Sequence, residues 1–239
     1  MIILYQFATS PFTEKVRRAL NYKGIAFEAH DVDRAKAAAG AYSRVSKVGK
    51  FPAIDHDGTI VQDSTDILEY LDTTFKDRPL APQSIRDRAL AAIIEDWADE
   101  SLYFYEITVR LAWAHNLDRA LDEFAVSFPH LSRDDLRTYF LDAAGKLTAA
   151  QGVGRKDHPT IVRDLERHFG ALDNLLEDQP WLVGDTISSA DISAAAQVSA
   201  LLYAEEARAI VERCANIRAW RERLDALAPI SRKAEQSHE

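Results

Sequence analysis

Cysteine is almost absent from this chain. Of 239 residues only Cys214 is one, so no intrachain disulfide can form. Such usage fits a reducing compartment. No apolar stretch approaches the ~20 residues that a membrane-crossing helix needs. Positive charge is in deficit: 29 Lys and Arg stand against 38 Asp and Glu, a formal net charge of −9. A surface of that sign repels nucleic acid and anionic membranes, and no run of Lys or Arg offsets it. The 7 histidines show no metal-ligand spacing. No internal repeat is present. Residues 1–7 are strand-like and too short for a signal peptide. The expectation is a cytoplasmic protein with no membrane insertion, no nucleic-acid partner and no metal.

What is present suits a folded protein of two parts. Apolar residues make up 47% of the chain, enough for a sizeable core, and the length favours two domains. Ile2 to Phe7 reads as a buried strand. Ser10-Pro11 opens a helix to about Tyr22, with Val16, Ala19 and Leu20 inward and Lys23-Gly24 as its stop. Ile25 to Val32 alternates as a strand, and Asp33 to Val45 is Ala-rich and helical in composition. Phe51 to Ile54 and Thr59 to Gln62 form a hairpin around His56-Asp57-Gly58. Ser64 to Phe75 is a helix. The order βαβ, α, ββα predicts a mixed sheet with helices on its faces.

Two prolines mark a linker after this unit, and no strand signal follows. Leu90, Ile93, Ile94, Trp97, Phe104, Ile107 and Leu111 recur at helical spacing through one long helix. Ala114 to Ala150 reads as short helices and turns. Further helices are expected over Pro159 to Glu177, Ser188 to Ala204 and Ala207 to Ala226. The expected division is an α/β domain over 1–76, a linker over 77–86, an all-α domain over 87–229 and a disordered tail over 230–239.

Three places could carry chemistry. Ser10-Pro11-Phe12-Thr13 puts a hydroxyl where a strand meets a helix N-terminus, whose unpaired N–H groups and dipole stabilise a thiolate; capping alone also accounts for Ser10. Pro52 begins a strand, and a cis bond to Phe51 would free the Phe51 backbone for a ligand; an ordinary strand-initiating proline is the alternative. Asp63-Ser64 lies at a helix N-terminus suited to a carboxylate, with Asp63 able to accept from an ammonium; plain capping again competes.

Taken in order, these segments resemble the cytosolic glutathione transferase superfamily. Residues 10–17, SPFTEKVR, look like the active-site segment of its omega and zeta classes. Gly49-Lys50-Phe51-Pro52 is similar to the segment before the family's cis-proline, and Gln62-Asp63-Ser64 to its Glu/Gln-Ser pair. Two positions depart from the pattern: Ser46-Lys47 stands where Asn-Pro is frequent, and Asp63 is one methylene shorter than Glu. The resemblance implies a thioredoxin-like βαβαββα domain followed by an all-helical domain, with glutathione as co-substrate. Ser10 would face and stabilise its thiolate, with Pro11 and Phe12 beside it. Phe51 would pair with the cysteinyl backbone, flanked by Lys50 and Pro52, and Asp63 and Ser64 would hold the γ-glutamyl end. A homodimer is implied too.

The second part supports the same resemblance. Ser188 and Asp191 have capping-box spacing, bracketed by Ile187 and Ile192, as before the family's core helix. This box is a folding device. Asp99, Tyr103, Glu106, Arg110 and Trp113 form a stripe on the long helix, which in the family faces the electrophile. Tyr103, Glu106, Arg110 and Trp113 are therefore expected to line a pocket for a small hydrophobic electrophile, with a solvated polar face as the alternative. Residues 151–156 also resemble the helical domain of metaxin-like and failed-axon-connections proteins, so a non-catalytic interaction protein is the rival reading. Gly152-x-Gly154 reads as a helix–helix turn and Cys214 as a buried small hydrophobe.

Overall fold

The computed structural model describes residues 1–231. Strand β1 (Ile2–Gln6) is one of the sheet's two interior strands, with Ile2 and Leu4 buried. It pairs in parallel with β2 (Phe27–Asp31), from Ile2 opposite Phe27 to Gln6 opposite Asp31. A parallel neighbour needs a crossover, supplied by helix α1 (Pro11–Tyr22). On the other edge β1 pairs antiparallel with β3 (Ala53–His56), which forms a hairpin with β4 (Thr59–Gln62), giving the order β2-β1-β3-β4. The hairpin turn is Asp57-Gly58, with φ of 50° and 93°. Two positive φ angles match the twist of the flanking strands.

The expected helix over Asp33 to Val45 is much shorter in the structure. Helix α2 spans Arg34–Ala38, capped by Asp33, and ends where Gly40 takes φ 82°. Turns carry the chain from there to Phe51. Helix α3 (Ser64–Thr74) completes the first unit and packs beside α1.

After Pro82, Ser84 caps helix α4 (Ile85–Asp96). The expected long helix runs on, but not as a uniform α-helix. It continues through a π-helical segment (Trp97–Leu102), helix α5 (Tyr103–Ile107) and a second π-helical segment (Thr108–Ala112). Each π turn shifts the register, so a stripe read at constant α spacing drifts off the core. Ile94 and Ile107 are buried; Leu90, 39% exposed, and Ile93, 66% exposed, precede both π segments and face outward on the regular helix α4. The buried face of α4 is instead Ala91, Ile94 and Glu95.

Ala114 to Ala150 also departs from the expected short helices. Helices α6 (Ala114–Ala125) and α7 (Arg133–Gln151) fill it, and α7 has 19 residues. Its buried face is only Leu136, Phe140, Ala144 and Thr148, one residue per turn, too narrow a stripe to read. Gly152, at φ 122°, ends α7. A Cβ on Gly154 would lie 2.4 Å from Thr148 Oγ1 and 2.8 Å from the Ala149 backbone nitrogen. That turn therefore packs directly on the helix it follows.

Helix α8 (His158–Leu175) leads to α9 (Ser189–Leu201), buried on nearly every side. The Ser188–Asp191 capping box forms as expected. Asp191 also accepts from Leu182 N and Trp220 Nε1, each at 2.9 Å. The single helix expected over Ala207 to Ala226 is two, α10 (Glu205–Val211) and α11 (Ala215–Leu227), broken at Cys214 in extended backbone. Burial, then the nearby Asp173, pushes the Cys214 thiol up, which suits an inert side chain. Of the expected disordered tail, 232–239 lies outside the described residues. Among those described, no helix is long and apolar enough to cross a membrane.

Candidate active site

The β1–α1 loop is held from both sides. Ser10 N donates to Phe7 O at 3.0 Å, and Ser10 O accepts from Glu14 N at 3.0 Å. Ser10 occupies the N-cap position with extended backbone, and Pro11 fixes the first turn, yet the Ser10 side chain makes no capping hydrogen bond. Among the described residues its hydroxyl has no partner, and it stands at the positive end of α1, the setting that stabilises an anion. Thr13 Oγ1, buried one turn in, also lacks a partner among the described residues.

The Phe51–Pro52 peptide is cis. Phe51 packs edge-on against Phe7 at 5.2 Å, which fixes it beside the same loop. The β1–β3 ladder ends at Tyr5 opposite Ala53. The Phe51 backbone therefore lies beyond the sheet's ladder, and its N–H and C=O find no backbone partner among the described residues. Ser46 Oγ donates to Lys50 O at 2.7 Å, steadying the segment before it, and Lys50 itself is exposed.

Asp63 caps α3, its Oδ1 accepting from Thr65 N at 2.9 Å. It does so at φ 79°, a conformation uncommon outside glycine. Such outliers cluster at ligand clamps, where the surrounding structure holds them. Ser64 is the first helical residue and is buried. The sequence-predicted residues of the first unit thus come from one end of the sheet and from the N-termini of α1 and α3.

The predicted stripe on the long helix divides. Arg110 is 2% exposed, pairs with Glu106 at 2.9 Å and donates from Nη1 and Nη2 to Thr9 O, both at 3.3 Å. The second π-helical segment is thereby tied to the residue before Ser10. Burial raises the Glu106 pKa against the pull of Arg110. Tyr103 sits edge-on to Phe12, ring centroids 4.8 Å apart, and burial pushes its phenol up. Trp113 lies elsewhere, stacked on His158 at 4.0 Å. Asp99 is bound to Lys15 Nζ at 2.6 Å.

A cavity of about 570 Å³ opens beside Ser10, between the β1–α1 loop, the second π-helical segment and helices α6, α9, α10 and α11. Sequence reasoning missed most of its lining. Arg17 shares one helical face with Ser10 and Glu14, at steps of three and four, a signal that was available. Tyr203, Arg208 and Arg221 come from far along the chain, and nothing local marks them. Burial and a hydrogen bond to Glu123 push the Tyr203 phenol up to about 12. The walls are far more cationic than a hydrophobic electrophile requires. Apart from this cavity, His115, Glu205 and Glu206 bring ligand-type atoms within 4.8 Å of one another, although Arg119 and Asn116 already bind the two glutamates.

Comparison with known proteins decides the family. The profile described as "Glutathione S-transferase, N-terminal domain" matches residues 4–79, and that described as "Glutathione S-transferase, C-terminal domain" matches 83–223. The chain belongs to the glutathione S-transferase family. An isoprene-epoxide–glutathione S-transferase from Rhodococcus sp. is 31% identical over 195 residues, 77% of this chain and 76% of that one. Glutathione S-transferase U3 of Arabidopsis thaliana is 30% identical over 115 residues, about half of each chain. Among solved structures, a glutathione S-transferase from Rhodospirillum rubrum aligns with TM-score 0.67 at 20% identity, over 95% of this chain and 88% of that one. The β-etherase LigF from Sphingobium sp. aligns with TM-score 0.65 at 23% identity over 96% of both chains. These glutathione S-transferase matches agree with the thioredoxin-like and all-helical layout of the fold.

Proposed function

We propose that this glutathione S-transferase family member binds glutathione over residues 1–76 and transfers its thiolate to a small electrophile held against the helical domain, residues 87–229, across the linker 77–86. Ser10 donates a hydrogen bond to the sulfur. It is not the nucleophile, and no covalent enzyme intermediate forms. The observation that carries this reading is the Ser10 hydroxyl, placed at the N-terminus of α1 yet unused as its cap. The other assignments follow the same geometry. Phe51, with backbone groups beyond the ladder, pairs with the cysteinyl backbone beside Pro52. Asp63 and Ser64 hold the γ-glutamyl end, and Pro11, Phe12 and Lys50 complete the site. Of the expected pocket residues Arg110 lines the acceptor side, with Glu106 behind it as its ion-pair partner and Tyr103 behind Phe12. Epoxides are reasonable first acceptors, given the Rhodococcus relative's name.

We place the protein in the cytoplasm, in line with its single cysteine, and read it as a homodimer, for which Leu90 and Ile93, three residues apart and both exposed on α4, offer apolar surface. Light scattering over a range of concentrations tests it, and a monomeric mass throughout rejects it. Isothermal titration tests the ligand. Glutathione should bind with micromolar to millimolar affinity, roughly 4–8 kcal/mol. Asp63→Ala should weaken binding. No heat, and no rise in melting temperature at about 10 mM glutathione, would reject the reading.

A further inference from the structure

The protein carries a net charge of −9, yet the cavity beside Ser10 is walled by Arg17, Arg110, Arg119, Arg208 and Arg221 against only two carboxylates, Glu14 and Glu123. Both carboxylates are already bonded. Glu14 binds Arg18 at 2.8 Å, and Glu123 accepts from the Tyr203 hydroxyl. Arg119 and Arg110 have acidic partners in Glu205 and Glu106, and Arg17 is likewise engaged, donating to Ala8 O at 3.2 Å. Arg208 has no acidic partner among the described residues: its Nη1 donates to the neutral carbonyls of Leu202 and Tyr203, at 2.9 and 3.1 Å.

Arg221 is the least compensated. Among the described residues it makes no ion pair, and its buried Nε has no hydrogen-bond partner. The carboxylates whose charge acts on it, Asp225 and Glu14, are each bonded to Arg18 at 2.8 Å. The Nε of Arg110, in a side chain 2% exposed, is likewise buried without a partner. A guanidinium with a buried, unsatisfied N–H and no counter-charge of its own, as at Arg221, is costly until an anion satisfies it. A planar fork of N–H donors suits a carboxylate in particular.

We infer that this cavity is an acceptor subsite for a small carboxylate-bearing electrophile, its carboxylate held by Arg221 and Arg208 and its reactive carbon toward Ser10. The identity of the nucleophile rests on the glutathione reading above; the carboxylate site does not. A suitable probe is 4-chloro-3-nitrobenzoate, with the matching neutral benzamide as control. The glutathione thiolate attacks the chlorine-bearing carbon, the C–S bond forms, and chloride leaves with the C–Cl electrons.

The test compares kcat/KM for acid and amide in the wild type, Arg221→Met and Arg208→Gln, with calorimetric titration of the acid lacking glutathione. The expected result is a wild-type preference for the acid. That preference should fall about tenfold to a hundredfold in Arg221→Met, the range for a hydrogen bond to a charged group, with Arg208→Gln in the same direction. The acid should bind the wild type without glutathione and still bind at saturating glutathione. Binding that depends on Arg221, with no turnover of either compound, would uphold the carboxylate site and reject the transferase reading. Turnover with equal rates for acid and amide in all three proteins would do the reverse. Displacement of the acid by glutathione would also overturn the inference, because the arginines would then serve glutathione itself.

Discussion

Lys15 Nζ lies 2.6 Å from Asp99 Oδ2, and at the same 2.6 Å from Glu95 Oε1, with the lysine side chain 1% exposed. A single ammonium on the first helix is thus clamped by two carboxylates on the long helix of the second unit. Thr65 of α3 joins them, accepting from Lys15 and donating to Glu95, both at 3.0 Å. Burial opposes the charge on Lys15, but Asp99 and Glu95 outweigh it and hold its pKa above the ordinary lysine value. Removing the cation strands two buried carboxylates side by side. Lys15→Met should therefore cost about 3–5 kcal/mol, read by urea denaturation. The triple variant with Glu95→Gln and Asp99→Asn should regain much of that. A single-variant loss below about 1 kcal/mol would show that the clamp carries no structural load.

Much of this fold is legible in the sequence because its signals are local. Ser10-Pro11, the Asp57-Gly58 turn and the Ser188–Asp191 box each announce an element by turn or cap chemistry alone. The α7 helix escapes notice because it buries one residue per turn, and Leu90 and Ile93 mislead because they are apolar yet face outward on regular α-helix. The first-domain candidates, Ser10, Phe51 and Asp63, each stand within a few residues of a boundary that the sequence marks. The clamp on Lys15 and the arginine walls do not. They join residues up to about 200 positions apart, and no local pattern records which charges meet across two domains.

Glycine provides a paired test on α7. Gly154 presses on the helix, with Thr148 and Ala149 atoms where a Cβ would stand, while Gly145 has nothing within 4 Å. Gly154→Ala forces the turn off the helix and should cost about 1–3 kcal/mol. Gly145→Ala adds a helix-favouring residue in open space and should gain about 0.5–1 kcal/mol. Thermal denaturation of both variants checks the pair, and equal shifts of one sign would contradict the packing described.

Acid stability should depend on Asp164. This carboxylate, 2% exposed, binds Lys156 at 2.6 Å and the Tyr105 hydroxyl at 3.0 Å, with Arg167 also bonded. The hydrogen bond from Lys156, outweighing burial, holds its pKa below the ordinary aspartate value. A depressed folded value means that the unfolded chain binds the proton first as pH falls. The stabilisation is complete above the unfolded pKa of about 3.9 and is lost progressively below it. Asp164→Asn should lower the melting temperature at pH 7 and narrow its gap from wild type toward pH 3. A gap that is constant with pH would mean that the carboxylate's charge contributes nothing.

Ser10 supplies the sharpest test of the chemistry. Its hydroxyl is free of the α1 cap, so its removal leaves the helix as it is; a cap residue, by contrast, would cost about 1 kcal/mol. Ser10→Ala should accordingly keep its melting temperature, which separates a functional loss from a folding one. If the hydroxyl donates to the glutathione thiolate, the lost bond to a charged acceptor is worth about 1.5–3 kcal/mol. The bound thiol's pKa should then rise by roughly one to two units, and conjugation near neutral pH should fall about tenfold to a hundredfold. Glutathione affinity should change little, because the contacts proposed for Phe51, Asp63 and Ser64 do not involve the sulfur. Ser10→Cys should behave differently and form a mixed disulfide with oxidised glutathione, releasing one equivalent of the reduced tripeptide. The ultraviolet absorbance of bound thiolate against pH measures the first effect directly. Coincident titration curves for wild type and Ser10→Ala would remove Ser10 from the chemistry. Activation would then pass to the helix N-terminus and to Thr13, whose buried hydroxyl one turn along α1 is also without a partner among the described residues.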